Sequence, residues 1–304
     1  MSLVAVGSMA FDALETPYGK RDKILGGAAT YIALASSYFA QPVKAISVVG
    51  YDFLDTDIQM LKEHGVIMEG VQVKEDQKSF FWSGRYHDNM NKRDTLITEL
   101  NVLENFDPIV PESYNDCSYL MLGNLSPDVQ RQVIERLPNR PKMVVMDTMN
   151  FWMDIALDSL HDTLKMIDVL IINDEEARQL SGEYSLVKAA RKIKEKGPKY
   201  VVIKKGEHGA LLFYDDHMFS APGLPLEEVV DPTGAGDTFA GGFIGHMARS
   251  GEVTFDKMKQ AVIFGSAMAS FCVEKFGPER LISLKESEIN DRVMQFQTLA
   301  QFNL

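Results

Sequence analysis

One stretch of this chain, Asp231-Pro-Thr-Gly-Ala-Gly-Asp-Thr-Phe-Ala-Gly-Gly-Phe243, combines residue types and spacing that could do chemistry. A turn at Asp231-Pro232 leads into Gly234, Ala235 and Gly236, which have almost no side chain, and then into a helix-like segment that begins with Asp237. Small residues let a ligand approach the backbone, and the first amides of a helix lack partners inside it. Such an end attracts anions, phosphates above all. A carboxylate at that place repels the phosphate that the amides attract. The simplest account of Asp237 is a general base that takes a proton from a hydroxyl attacking the phosphate. Ordinary loop chemistry is the other account, because Asp and Thr are common in first helical turns and glycines are common before them.

The elements that must position this stretch alternate along the chain. Leu3–Gly7, Val43–Val49, Ser118–Gly123, Met143–Asp147, Val169–Asn173 and the start of Tyr200–Gly209, which ends in a Gly-x-x-Gly turn, are short apolar runs of the kind that form buried parallel strands. Helical segments separate most of them, including Asp55–His64, Phe151–Ile167, Leu186–Lys196 and Phe255–Val273. This order predicts an α/β fold: a doubly wound, mainly parallel sheet with helices on both faces, in a single unit over residues 1–304. In such sheets ligands bind beyond the carboxyl ends of the strands. Asp12, Asn124 and Asp147 fall there, although Asp12 also suits a simple turn. Asn173 and Glu176 are spaced as an N-cap and its capping-box partner.

Composition bounds the function. With 45% hydrophobic and 24% charged residues over 304 positions, the chain can bury a large core. A net charge of -12 argues against a nucleic-acid surface. Cys117 and Cys272 show no metal-ligand spacing and suit a reduced, cytoplasmic compartment; no signal peptide or membrane span is expected. The sequence has neither the Walker pattern GxxxxGK[ST] nor a GxGxxG after its first strand.

From Asp231 to Phe239 the stretch resembles, over nine consecutive positions, the C-terminal signature of the ribokinase-like (PfkB-type) carbohydrate kinases, Asp-[Thr/Pro]-Thr-Gly-Ala-Gly-Asp-[Thr/Ser]-Phe. Further family motifs follow in family order: an aspartate after the first strand, the Gly26-Gly27 pair, Asn173-x-x-Glu176 and the Gly206-x-x-Gly209 turn. The resemblance implies an ATP-dependent kinase. Asp237 would be the base, and the amides of Gly234, Ala235 and Gly236 would form the anion hole. The acceptor would be a small sugar or sugar-like molecule bound by Asp12, Gly26 and Gly27, with Asn124 expected to face it from its strand-end position. Tyr31 stands where the family has an asparagine that contacts the sugar, which leaves the acceptor open among sugars, polyols and nucleosides.

The resemblance further implies that Asn173 and Glu176 hold Mg²⁺ through water, and that Gly206, Gly209, Thr233, Gly265 and Ser266 lie along the nucleotide. Asp231 would border a possible K⁺ site. Lys204 stands where a small hydroxyl residue is common; it suits either a phosphate contact or a solvated surface. A small β-sheet lid, from about residues 13–25 and 70–100, would close over the acceptor, contribute Arg85 and pair two copies into a homodimer. In Ser79–His87 one lid face would carry Phe80, Trp82 and Tyr86, and the other Phe81, Ser83 and Arg85. A nucleoside kinase of the same fold and a non-catalytic ligand sensor are the alternatives, and the retained Asp237 argues against the second.

Overall fold

The computed structural model describes residues 1–301, so the last residues of the unit expected over 1–304 lie outside the described residues. The continuous apolar runs form strands buried on both faces. In chain order the strands are β1 (Leu3–Val6), β2 (Ala10–Thr16), β3 (Gly19–Gly26), β4 (Val43–Gly50), β5 (Val66–Lys74), β6 (Phe80–Tyr86), β7 (Arg93–Glu99), β8 (Tyr119–Leu122), β9 (Met143–Asp147), β10 (Val169–Asn173), β11 (Tyr200–Lys204), β12 (Ala210–Tyr214) and β13 (His217–Ala221). Among the described residues they make a nine-stranded sheet, ordered β13-β12-β11-β10-β9-β8-β1-β4-β5, and a four-stranded sheet, ordered β3-β2-β6-β7. From β11 to β5 every neighbouring pair in the large sheet is parallel, and β12 and β13 add an antiparallel edge.

Strand alternation splits the core into two layers. Leu3 and Ala5 of β1 face the layer that holds Ile32, Phe243 and Met258, so helices Ala28–Ser37, Ala235–Ser250 and Phe255–Cys272 cover that side. Val4 and Val6 face Val133, Leu160, Ala177 and Ala189 on four helices of the other side. Helices thus lie on both faces, as the alternation of elements predicts. Among the described residues no helix is long and apolar enough to cross a membrane.

Two expected boundaries need correction. The small sheet comprises residues 10–26 and 80–99; Gly70–Lys74, expected in the lid, belongs to β5 at the edge of the large sheet, pairing with β4. Residues 151–167 do not form one helix. The chain breaks at Ala156 (φ -141°, ψ 36°) between helices Asn150–Ile155 and Leu157–Leu164.

Candidate active site

The helix Ala235–Ser250 begins on Gly234, whose left-handed conformation (φ 74°, ψ 0°) turns the chain sharply into the first turn. A side chain there is excluded twice over. The conformation disfavours a Cβ, and a Cβ would lie 2.4 Å from the Tyr31 ring. Tyr31 is therefore the floor beneath this turn. Its hydroxyl is buried with no hydrogen-bond partner among the described residues. One expected donor is corrected: the Ala235 amide donates to the Pro232 carbonyl at 3.2 Å and closes the turn. The Gly234 and Gly236 amides have no such partner among the described residues and remain free for an anion. Asp231 holds the approach to the turn, its two oxygens accepting the amides of Thr233 and Gly277, each at 2.9 Å.

Parallel strands deliver the remaining charged groups at their carboxyl ends. Asp147 closes β9, Asn173 closes β10 and Lys204 closes β11. Lys204 is not a solvated surface lysine. Its Nζ lies 3.6 Å from Asp147, and a Cβ on Gly236 would meet that Nζ at 2.8 Å, so the ammonium sits against the anion turn. Burial alone would lower the Lys204 pKa, but Asp147, Glu176 and Asp237 outweigh it and keep the lysine charged. The carboxyls shift the other way. Burial first, then Asp147, push Asp237 up to about 7 against the pull of Lys204 and Arg93. The same two causes raise Glu176 to about 7. Burial, Asp231 and Asp237 raise Asp12 to about 8 against the pull of Arg93.

The capping box is present in full. The Asn173 amide donates to Glu176 Oε2 and the Glu176 amide donates to Asn173 Oδ1, both at 2.8 Å. Each side chain thus spends one oxygen on the helix start, and among the described residues no three His, Cys, Asp or Glu side chains form a metal-binding group. The donor set fits a cation held through water better than one bound directly.

The small sheet places its residues by face. Asp12 on β2 lies beside Trp82 on β6, so Asp12, Trp82 and Tyr86 share one face. That face looks onto the anion turn, because Thr233 Oγ1 donates to the Tyr86 hydroxyl at 3.1 Å. Gly26 lies against Asp12, where a Cβ would stand 2.0 Å from its Oδ2, and Gly27 starts the helix that carries Tyr31. Arg85 points to the other face. There it pairs with Glu15 at 3.1 Å and lines a groove of about 440 Å³ along the lid, which corrects its expected place beside the acceptor.

Five other expected contact residues are placed as follows. Asn124 accepts from Trp152 Nε1 at 2.9 Å and donates to Met149 Sδ at 3.0 Å, which occupies its amide. Gly265 is a helix-packing residue, since a Cβ there would meet the Phe239 carbonyl at 2.7 Å; Ser266 beside it is half-buried. Gly206 and Gly209 frame the turn after β11, and Gly209 packs against the Ala221 carbonyl. Sequence reading set Tyr86 on a lid face and Asp147 at a strand end without giving either a role in the site, and passed over Arg93. The strand-end position marked Asp147; the contact of Tyr86 with Thr233 and the place of Arg93 depend on how the lid packs and pairs, which no local pattern shows.

The model of the pfkB family carbohydrate kinases matches residues 2–283 of this chain. The cytidine kinase of Thermococcus kodakarensis is 29% identical over 91% of this chain and 98% of its own. The nucleoside kinase of Methanothermobacter thermautotrophicus is 24% identical over 91% of each. Among solved structures, a putative ribokinase II from E. coli in complex with ATP and Mg²⁺ superposes with a TM-score of 0.77, at 21% identity, over 97% of this chain and all of its own.

Proposed function

The chain belongs to the pfkB family of carbohydrate kinases, phosphotransferases with an alcohol acceptor, and from that premise we propose that it transfers the γ-phosphate of ATP to a hydroxyl of a nucleoside, with Asp237 as general base. One observation carries the mechanism: a half-buried carboxylate, its pKa raised to about 7, stands one residue beyond free backbone amides that favour an anion. The nucleoside reading draws on two of the three similar proteins named above, a cytidine kinase and a nucleoside kinase, which align over nine-tenths of the chain.

In this reading Asp12 holds the acceptor. A hydroxyl gives its proton to Asp237 as its oxygen forms a bond to the γ-phosphorus, while the bond from that phosphorus to the bridging oxygen breaks and ADP leaves. The Gly234 and Gly236 amides and the Lys204 ammonium stabilise the charge on the phosphoryl group in transit. Asn173 and Glu176 would hold Mg²⁺ through water, and that ion would neutralise phosphate charge. No step is assigned to K⁺ at Asp231, whose two oxygens already accept backbone amides. The chain acts as one catalytic unit. Pairing of two copies belongs to the same reading, at the open lid edge where Leu96 and Ile97 are each 48% exposed; sedimentation of a monomer alone would remove it.

The reading is tested by ATP consumption across a panel of nucleosides, sugars, sugar acids and polyols. Nucleosides are expected to exceed the best sugar by about tenfold or more in kcat/KM. A sugar turned over faster than every nucleoside would replace the acceptor class, and no turnover with any acceptor would defeat the reading.

A pH dependence follows from Asp237. The base acts ionised, and its pKa is raised to about 7, so acidification removes it well above the ordinary carboxylate range. Accordingly kcat/KM is expected to fall about tenfold per unit of pH below about 7, the apparent value belonging to the cluster that Asp237 shares with Asp147 and Lys204. A profile flat down to about pH 5 would contradict the assignment.

A further inference from the structure

The lid carries a cation that the mechanism above does not use. Tyr86 at the end of β6 pairs across the hairpin with Arg93 at the start of β7, so both side chains stand on the face that looks onto the anion turn. The tip of the same hairpin spans the crevice. Asn91 Nδ2 donates to Glu207 Oε1 at 3.2 Å, and a Cβ on Gly206 would meet Asn91 Oδ1 at 2.8 Å. Arg93 therefore sits where the hairpin runs between Thr233 at one end and the turn after β11 at the other. Two neighbouring basic side chains have acidic partners. Arg85 is held by Glu15, and His87 lies 2.9 Å from Asp94. Among the described residues Arg93 has no carboxylate within ion-pair distance, and its guanidinium rests 5.4 Å from the centre of the Trp82 ring.

We propose that Arg93 is a catalytic residue carried by the lid: its guanidinium engages the phosphoryl group in transit, alongside the Gly234 and Gly236 amides and Lys204. The proposal rests on the kinase reading above. Charge makes the need plain. A transferring phosphoryl group brings negative charge into a site already lined by Asp12, Asp147, Glu176, Asp231 and Asp237, with the half-buried Lys204 as the cation set among them. A planar guanidinium with several donors suits phosphate oxygens, and desolvation strengthens it once the nucleotide fills the crevice. The field of Arg93 already reaches the site, since it draws down the proton affinity of Asp12, Glu176 and Asp237 together. Because the residue is on the small sheet, turnover would require that sheet to be in place, which links acceptor enclosure to phosphoryl transfer.

The test compares wild type with Arg93→Gln, using the acceptor that the panel identifies. The variant is expected to lose about 10²–10³-fold in kcat with acceptor KM within about threefold. Its calorimetric affinity for ADP should stay within about threefold, while affinity for ADP with aluminium fluoride, which imitates the phosphoryl group in flight, should fall about 30-fold or more. Guanidinium ion should restore part of the turnover of Arg93→Ala. Arg93→Lys, which keeps the charge, serves if the glutamine variant does not fold. Turnover within about threefold of wild type would make Arg93 a surface cation resting on Trp82 and overturn the proposal. Equal weakening of ADP and its fluoride complex would also overturn it, leaving a nucleotide anchor. A wild-type protein that phosphorylates no acceptor would instead defeat the kinase reading.

Discussion

Asp237→Asn is expected to lower kcat by about 10²–10⁴-fold while nucleotide affinity stays within about threefold. The substitution keeps the shape of the side chain and its place in the first helical turn, so the anion turn should stand unchanged. What disappears is the capacity to take a proton. In the native site that capacity is unusually high, because burial and Asp147 make the charged form costly and Lys204 only partly offsets them. An amide at this position no longer repels the phosphate or Asp147, so ground-state binding of ATP should hold or improve slightly. The loss should therefore appear in kcat and not in nucleotide affinity. Steady-state kinetics beside calorimetric nucleotide binding measure both, and turnover near that of wild type would remove Asp237 as the base.

Gly234→Ala should be nearly as damaging, for a different reason. The added Cβ would meet the Tyr31 ring at 2.4 Å in a backbone conformation with φ 74°, so either the turn or the tyrosine must move. The left-handed conformation alone costs about 1–2 kcal/mol for a residue with a Cβ. Relief by unwinding the turn would turn the Gly234 and Gly236 amides away from the phosphate, and losing such a donor costs about 10²–10³-fold in kcat. The expected result is a lowered melting temperature together with that loss of turnover. Kinetics and thermal unfolding on the same preparation check it. A stable variant with turnover within about threefold of wild type would show that the turn does not hold the phosphoryl group.

The parts of this site that were legible in the sequence are those built by local rules. Asn173 and Glu176 were spaced as a capping box, and the box is formed because it needs only one helical turn. The place of Asp237 followed in the same way from a glycine turn that opens a helix. Ala235 shows the limit of that reasoning: a residue of the right size in the right stretch, whose amide is spent on closing the turn. Lys204 was open between surface and site, and the sheet decided it by ending β11 beside β10 and Asn173.

Arg93 was out of reach for a sharper reason. Regular antiparallel pairing from Trp82 and Thr98 would set Tyr86 opposite Asp94. The register shifts after Ser83, leaving Leu96 as an extra residue on β7, and Arg93 moves into register with Tyr86. A single bulge thus exchanged an acid for a base at the mouth of the site. The two lid faces were read correctly, whereas Arg85, expected beside the acceptor as part of the lid, pairs with Glu15 on the far face. Long-range pairing of this kind has no signature within a window of a few residues.

Direct transfer of the γ-phosphoryl group to an alcohol beside Asp237 is the central claim, and following the fate of that group tests it most directly. Wild type would be incubated with Mg²⁺, a nucleoside turned over in the panel and ATP labelled at its γ-phosphorus, and the label traced. The account predicts that it appears on the nucleoside in step with ADP, stays on ATP when the nucleoside is omitted, and barely moves with Asp237→Asn. Label accumulating as free phosphate at a similar rate with or without the nucleoside, or reaching it equally fast with Asp237→Asn, would contradict the account.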